Sequence, residues 1–506
     1  MSKKSIFLYF FLALKLVLPL LLINAAYDLH RDEYLHLDQA KHLSWGFYSV
    51  PPLTSILSWI ILQLGNSAFL VKFFPALFGA LTLLVVWKTI ELLRGNLFAL
   101  SLGAISIIFS AITRINILFQ PNSLDILCWT LFYFTIAKYI RSEKIIWLLY
   151  ASVVFALGFY NKYNIVFLIL GILPATILSH HRKIFKNPSF STIILFALLL
   201  ISPNIIWQFH YKLPVIHHLK TLVETQLILV NRFDFLKEQL LFFIGSIFIL
   251  IAAFISFFTY SPFHRYRIFF WSFIFTLLLF IIFRAKGYYA IGLYPILLAF
   301  GSVFLEKIST KGWKYKLRPL AIAIPILTFI PFLKIAFPIQ PPANMQQNIK
   351  NFSDVGLLRW EDGKTHTLPQ DFADMLGWRE LSAKVDSAGT IINDAANTLV
   401  LCDNYGQAGA INYYTKYKNV PAFCMEGDYY TWFLQYHKEI KNIILVKTAD
   451  AEIDLKDEKL FFKTIIPFGK IENINARERG TSIYILKDIT SSKLLKDYLI
   501  IENKPH

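Results

Sequence analysis

Apolar stretches of about 20 residues recur from the N-terminus to about residue 337, and this recurrence limits the fold more than any other feature. That length is what a helix needs to cross a bilayer, and no water-soluble core could shelter so many such stretches. The stretches lie at about 6–26, 68–92, 96–113, 123–140, 145–160, 163–180, 189–207, 239–260, 267–283, 287–305 and 318–337, about eleven in all. The hydrophobic fraction of 56% agrees with this. The first stretch follows Lys3 and Lys4 but lacks a small-residue cleavage site, and further spans follow it, so it reads as a retained helix.

Beyond about residue 345 charged residues return and the apolar runs shorten. The expected architecture is an all-α polytopic membrane domain over 1–340, then a small soluble α/β domain over 345–506. Residues 398–402, 442–446 and 482–486 read as buried strands of a mostly parallel sheet, with helices over 406–414 and 428–436 between them.

Lys and Arg set the expected orientation. With the N-terminus in the cytoplasm, the cytoplasmic segments carry Lys3 and Lys4, Arg94, the cations of 138–144 and 182–186, Arg265, Arg267, and those of 307–318. The opposite loops, 27–67 and 208–238 above all, are longer and poorer in cations. An odd number of spans then puts the C-terminal domain outside. The net charge of +17 is absorbed by topology and anionic lipid, and no basic soluble face for nucleic acid is evident.

The chain has three cysteines but no CxxC pair, no Gly-rich phosphate loop and no His-Glu-x-x-His signature. Cys128 lies within a span, whereas Cys402 and Cys424 fall in the C-terminal domain, where a disulfide is chemically allowed.

Chemistry gathers in the first long loop, 27–67. Asp32 and Glu33 are adjacent acids just past the first span, and a carboxylate there can act as a general base if a partner orients it. Ordinary loop charges marking the membrane boundary would look the same. A short helix is expected over 34–45, a break at Pro51 and Pro52, and an interfacial helix over 53–64. His30, His36 and His42 share the loop, but His36 and His42 are too far apart for one helical face, so no divalent metal or other cofactor is expected.

The order Asp32-Glu33, Tyr34, Ala40-x-x-Leu43-x-x-Gly46-Phe47 and Pro51-Pro52-Leu53 resembles the first loop of family 39 glycosyltransferases, which include protein mannosyltransferases and the aminoarabinose transferase of lipid A. Asn122-Ser123-Leu124-Asp125 is similar to that family's second acidic motif, and Gly158 to Tyr163 to its Gly-x-x-x-x-Lys-Tyr segment. Pro203-Asn204, Trp207-Gln208 and Pro214 resemble a further stretch of bacterial members. Lys286-Gly287-Tyr288-Tyr289 resembles the family's Lys-Pro-Tyr-Tyr, with Gly287 where Pro is usual. The tail segments 368–378 and 404–411 resemble a bacterial subgroup.

The resemblance implies a membrane glycosyltransferase of the C fold that takes a sugar from a polyprenyl-phosphate donor. It implies Asp32 as base toward the acceptor, Glu33 as the residue that orients the acceptor or tunes Asp32, and Asp125 as a second acid binding sugar or acceptor. The anionic leaving group calls for cations, with Lys162, Arg284 and Lys286 the candidates. Tyr288, Tyr289 and Gln208 are candidate substrate contacts. The implied partners are membrane lipid, the lipid-linked donor, and a protein or glycolipid acceptor. A transporter or lipid flippase is the competing class; it would place paired ionisable residues in mid-span, whereas here the acids collect at helix ends. A non-catalytic scaffold would leave the ordered motifs unexplained.

Overall fold

The computed structural model describes residues 2–345, 347, 349–354, 356–449 and 455–502. The chain divides into two compact units: Met1–Ile23, Val50–Thr54 and Phe69–Ile339 form the first, and Asn24–Ser49, Ser55–Ala68 and Gln340–His506 the second. Most of the first long loop thus belongs to the same unit as the C-terminal residues.

The first unit is helical, and the chain is a multi-pass membrane protein. Among the described residues, seven helices are long and apolar enough to cross a membrane, or up to nine if each of two bent pairs is one span. The bent pairs are Ile165–Ile177 with His180–Lys186, at 105°, and Arg232–Leu241 with Ile244–Thr259, at 62°. Two of the stretches read from the sequence form shorter apolar helices, Leu97–Ile108 and Ile146–Asn161. The span Gly287–Ile308 is the most enclosed, with 83% of its apolar window buried, whereas Pro188–His210 and Gly312–Ala336 are only 11% buried. The latter two present Leu195, Leu199, Leu327 and Ile330 outward, as suits helices whose solvent is hydrocarbon. Lys15, inside the span Lys3–Leu21, is fully buried and donates to Thr113 Oγ1 at 2.6 Å, so not every span interior is free of ionisable groups.

The second unit is α/β. Its sheet comprises β1 (Thr398–Cys402), β2 (Ala422–Cys424), β3 (Asn442–Lys447), β4 (Phe462–Lys470) and β5 (Ser482–Ile489), in the order β2-β1-β3-β5-β4. The β1–β2 and β1–β3 ladders are parallel, and the β3–β5 and β4–β5 ladders antiparallel. The expectation of a mostly parallel sheet is therefore corrected to a mixed one. The connection from β4 to β5, residues 471–481, holds no helix, as suits an antiparallel pair rather than a parallel crossover, and β5 also runs antiparallel to β3. Pro467 sits on the edge strand β4, beside a bulge, where its missing N–H interrupts no central ladder. Cys402 and Cys424 are register partners on β1 and β2, and both are buried free thiols.

Four helices of this unit matter for the site: α1 (Arg31–Gln39), α2 (Trp378–Ile392), α3 (Tyr405–Tyr414) and α4 (Gly427–Leu434). α1 starts earlier than the sequence suggested because His30 and Glu33 form a capping box. The His30 ring accepts from the Asp32 N–H, and the Glu33 carboxylate accepts from the His30 N–H at 2.7 Å. α1 packs on α3 through glycines one turn apart. A Cβ on Gly406 would lie 3.2 Å from Arg31 Cβ, and one on Gly409 would lie 2.8 Å from Tyr34 Cβ and 3.0 Å from the Tyr34 backbone. The Gly-x-x-Gly spacing of the tail motif is thus the bed on which α1 lies. Because backbone blocks the way, Gly409→Ala should destabilise the protein by about 1–3 kcal/mol. Thermal unfolding of the full chain in detergent would register this as a lower Tm, and an unchanged Tm would contradict the close packing.

Candidate active site

In the second unit, Asp32 lies in the first turn of α1 with its side chain 35% exposed. Tyr405, at the start of α3, donates its hydroxyl to Asp32 Oδ1 at 2.8 Å. The Arg31 guanidinium sits 4.5 Å over the Tyr405 ring, and His30 Nδ1 is 3.8 Å from Asp32 Oδ2. Burial pushes the Asp32 carboxyl up, but the neighbouring His30, the Arg31 charge and the Tyr405 hydroxyl outweigh it and hold the group below the usual carboxylate range. Asp32 is therefore a carboxylate at any physiological pH, the form a base requires.

Surrounding contacts fix this corner. Asp374 is almost fully buried, pairs with Arg477 at 3.1 Å and lies 3.6 Å from His30 Nε2; burial raises its pKa. Asp28 Oδ1 pairs with Arg379 Nε at 3.0 Å, and Asp28 Oδ2 accepts from the Trp378 N–H that opens α2. Tyr34 is fully buried among Trp378, Tyr413 and Tyr414, and donates to the Tyr414 hydroxyl at 3.2 Å. Glu33 is fully buried, and its cap contact shows it holding the start of α1.

Asp428, on α4, closes the other end of the loop. It accepts from Gln39 Nε2 at 2.9 Å and from the Tyr48 N–H at 2.6 Å, and burial raises its pKa to about 6. A carboxyl whose folded pKa exceeds its unfolded value binds protons preferentially in the folded state. Its contribution to stability therefore grows as pH falls from about 7 toward about 4, on the order of 2–3 kcal/mol. Over that window the Tm of the parent chain should rise relative to that of Asp428→Asn. Parallel pH profiles for the two would contradict the assignment.

In the first unit a second cluster forms. Asp125, on Pro121–Ser142, is buried; its Oδ1 accepts from Trp129 Nε1 at 3.0 Å and its Oδ2 from Asn164 Nδ2 at 2.9 Å. Asn164 also donates to the Tyr289 carbonyl at 3.1 Å. Lys162 caps Ile146–Asn161, donates to Asn122 Oδ1 at 2.8 Å, and places its ammonium 4.0 Å over Tyr289 and 5.3 Å from Tyr288. Asp125, Lys162, Tyr288 and Tyr289 are thus brought together.

Arg284 and Lys286 go elsewhere in this unit. Arg284 donates to the Ile228 carbonyl at 2.9 Å, and Lys286 to Gln226 Oε1 at 2.7 Å, so both hold the 208–238 loop. Gln208 is buried; it donates to the Tyr163 hydroxyl at 2.8 Å, which in turn donates to Asn204 Oδ1 at 2.9 Å. Gly287 is accounted for locally. Its N–H donates to the Glu238 carboxylate, its carbonyl accepts from Gln239 Nε2 at 3.0 Å, and a Cβ there would collide with Glu238 Oε2. Proline could not make this arrangement.

Among the described residues there is no group of three or more His, Cys, Asp or Glu arranged to hold a metal ion. Sequence reasoning missed Tyr405, Arg31 and His30 as partners of Asp32, and Asn122 and Asn164 as partners of Lys162 and Asp125. Asn122 and Asn164 lay inside or beside quoted motifs, whereas Tyr405 is 373 positions from Asp32 and no spacing rule links them.

Residues 49–207 match the family of dolichyl-phosphate-mannose-protein mannosyltransferases. No curated protein matches the chain. Among solved structures, ArnT from Cupriavidus metallidurans bound to undecaprenyl phosphate is similar at a TM-score of 0.64, with 11% identity over 96% of this chain and 98% of that one. The apo state of the same protein gives 0.63 over the same shares. The chain is thus similar to the protein mannosyltransferases in sequence over residues 49–207 and shares the fold of ArnT along nearly its whole length.

Proposed function

We propose that the protein is an inverting glycosyltransferase that moves a sugar from a polyprenyl-phosphate donor to a cell-envelope acceptor. The reading is carried by the shared fold with ArnT, whose solved complex holds undecaprenyl phosphate. The distribution of Lys and Arg supports an N-terminus in the cytoplasm and a reaction at the external face of a bacterial inner membrane.

In the proposed step, an acceptor hydroxyl or amine attacks the anomeric carbon as the bond from that carbon to the phosphate oxygen breaks. The electron pair leaves with the polyprenyl phosphate, the acceptor proton goes to the Asp32 carboxylate, and the single displacement inverts the anomeric configuration. A low pKa suits this base, which must be charged before the acceptor arrives. Lys162 is the proposed cation for the leaving phosphate, because it is held by Asn122 and by the Tyr288 and Tyr289 faces, which support positive charge. Asp125 is proposed to hold this cation's surroundings in place and to contact sugar or acceptor. Glu33 is proposed to act on Asp32 through the start of α1, Gln208 through Tyr163, and Arg284 and Lys286 through the 208–238 loop.

The purified full chain, reconstituted with polyprenyl-phosphate-linked pentoses and hexoses and an envelope extract as acceptor, should release polyprenyl phosphate in step with sugar transfer. Donor recovered intact across that set would overturn the reading.

A further inference from the structure

We propose that Tyr405 is a positioning residue for the Asp32 carboxylate, making the C-terminal residues part of the reacting apparatus. This rests on the reading of Asp32 as the base. The hydroxyl reaches Oδ1 at 2.8 Å, a charge-assisted hydrogen bond that fixes the plane of the carboxylate. The contact is built from several sides. Asn404 caps α3 by accepting from the Gln407 N–H, and Asn404 and Gln407 both donate to the buried Glu478, at 3.1 and 2.7 Å. That holds the first turn of α3, and with it Tyr405, against the sheet. Arg31 covers the ring at 4.5 Å, a placement that favours donation by the phenol beneath it. Gly406 and Gly409 let α1 approach closely enough for the bond to form.

The pair therefore does two things at once. It lowers the proton affinity of Asp32 by favouring its charged form, and it removes the rotational freedom the carboxylate would have on an isolated helix turn. A residue that served only to pack α3 would do neither.

Tyr405→Phe deletes the hydroxyl and keeps the ring under Arg31. The Asp32 titration, isolated as the infrared carboxyl band absent from Asp32→Asn, should move up by about one pH unit. In the same variant kcat at neutral pH should fall about tenfold, with KM for the donor unchanged. Replacing Tyr405 with a fluorotyrosine, of the same shape but a stronger donor, should move the titration down. An unmoved Asp32 titration in both variants, or an unchanged kcat in Tyr405→Phe, overturns the proposal. The infrared arm needs no substrate, so its outcome stands apart from the reading of Asp32 as base, which fails instead if Asp32→Asn retains full transfer.

Discussion

Asp32→Asn is expected to lower sugar transfer by about 10²–10⁴-fold, the usual range for loss of a general base, while the protein still folds. The substitution keeps the size of the side chain, and an amide oxygen can still accept from Tyr405, which reaches Oδ1 at 2.8 Å. The expectation is therefore specific to proton transfer: the variant should bind donor with little change and fail at the chemical step. Asp32→Glu should restore little, because the extra methylene displaces the carboxylate from the Tyr405 hydroxyl. Steady-state kinetics with a saturating donor checks this, and an unchanged Tm shows that the loss is not unfolding. Full activity in Asp32→Asn would remove Asp32 from the chemistry. The acid limb of the parent's activity should lie below the usual carboxylate range if Asp32 governs it, because its neighbours hold its pKa down.

The second large effect is expected at Lys162. Replacing it with Met keeps the aliphatic stem and removes the charge, and transfer should fall about 10²–10³-fold, as when a preorganised charge partner of a leaving group is deleted. Lys162→Arg should retain part of the activity. A purely structural role is easily imagined, since Lys162 also ties Asn122 to Tyr289. The two roles separate on product binding: a phosphate cation makes added polyprenyl phosphate a weaker inhibitor of Lys162→Met, whereas a structural pin leaves that inhibition unchanged.

Much of the fold was legible in the sequence because the membrane enforces simple rules. A span must be long and apolar, and every stretch read as one carries a described helix at its place, although among the described residues only seven spans, or up to nine counting each bent pair as one, are long and apolar enough to cross a membrane. What length alone could not reveal was the bending. The break at 242–243 falls within a locally apolar run, and the one at 178–179 falls where an apolar run gives way to His180, His181, Arg182 and Lys183; neither composition specifies a bend angle. In the C-terminal part, 398–402, 442–446 and 482–486 were legible as strands because they are short runs dominated by β-branched residues and leucine. Strand Ala422–Cys424 was too short to read, and Phe462–Lys470 is interrupted by Pro467 and Gly469.

The site was legible at its ends but not in its connections. Asp32, Asp125 and Lys162 stood out through resemblance. Glu33 was read as orienting the acceptor or tuning Asp32, and the structure shows its carboxylate capping α1; the capping box was hidden because His30, rather than Ser or Thr, fills the first position. Lys286 and Arg284 were read as phosphate cations from their charge and the resemblance of their segment, and the structure shows each giving a donor to the 208–238 loop. The tie between Tyr405 and Asp32 is tertiary, and the Gly-x-x-Gly spacing that allows it could as well have marked a turn.

Transfer of a sugar from a lipid phosphate to the cell envelope is tested most directly by mass spectrometry of envelope glycans and lipid extracts. Cells lacking the protein should lose one sugar-bearing species of defined mass and accumulate the matching polyprenyl-phosphate sugar. The parent gene should reverse both changes, and Asp32→Asn, expressed at the same level, should reverse neither. Identical glycan and lipid profiles with and without the protein, or full restoration by Asp32→Asn, would contradict it.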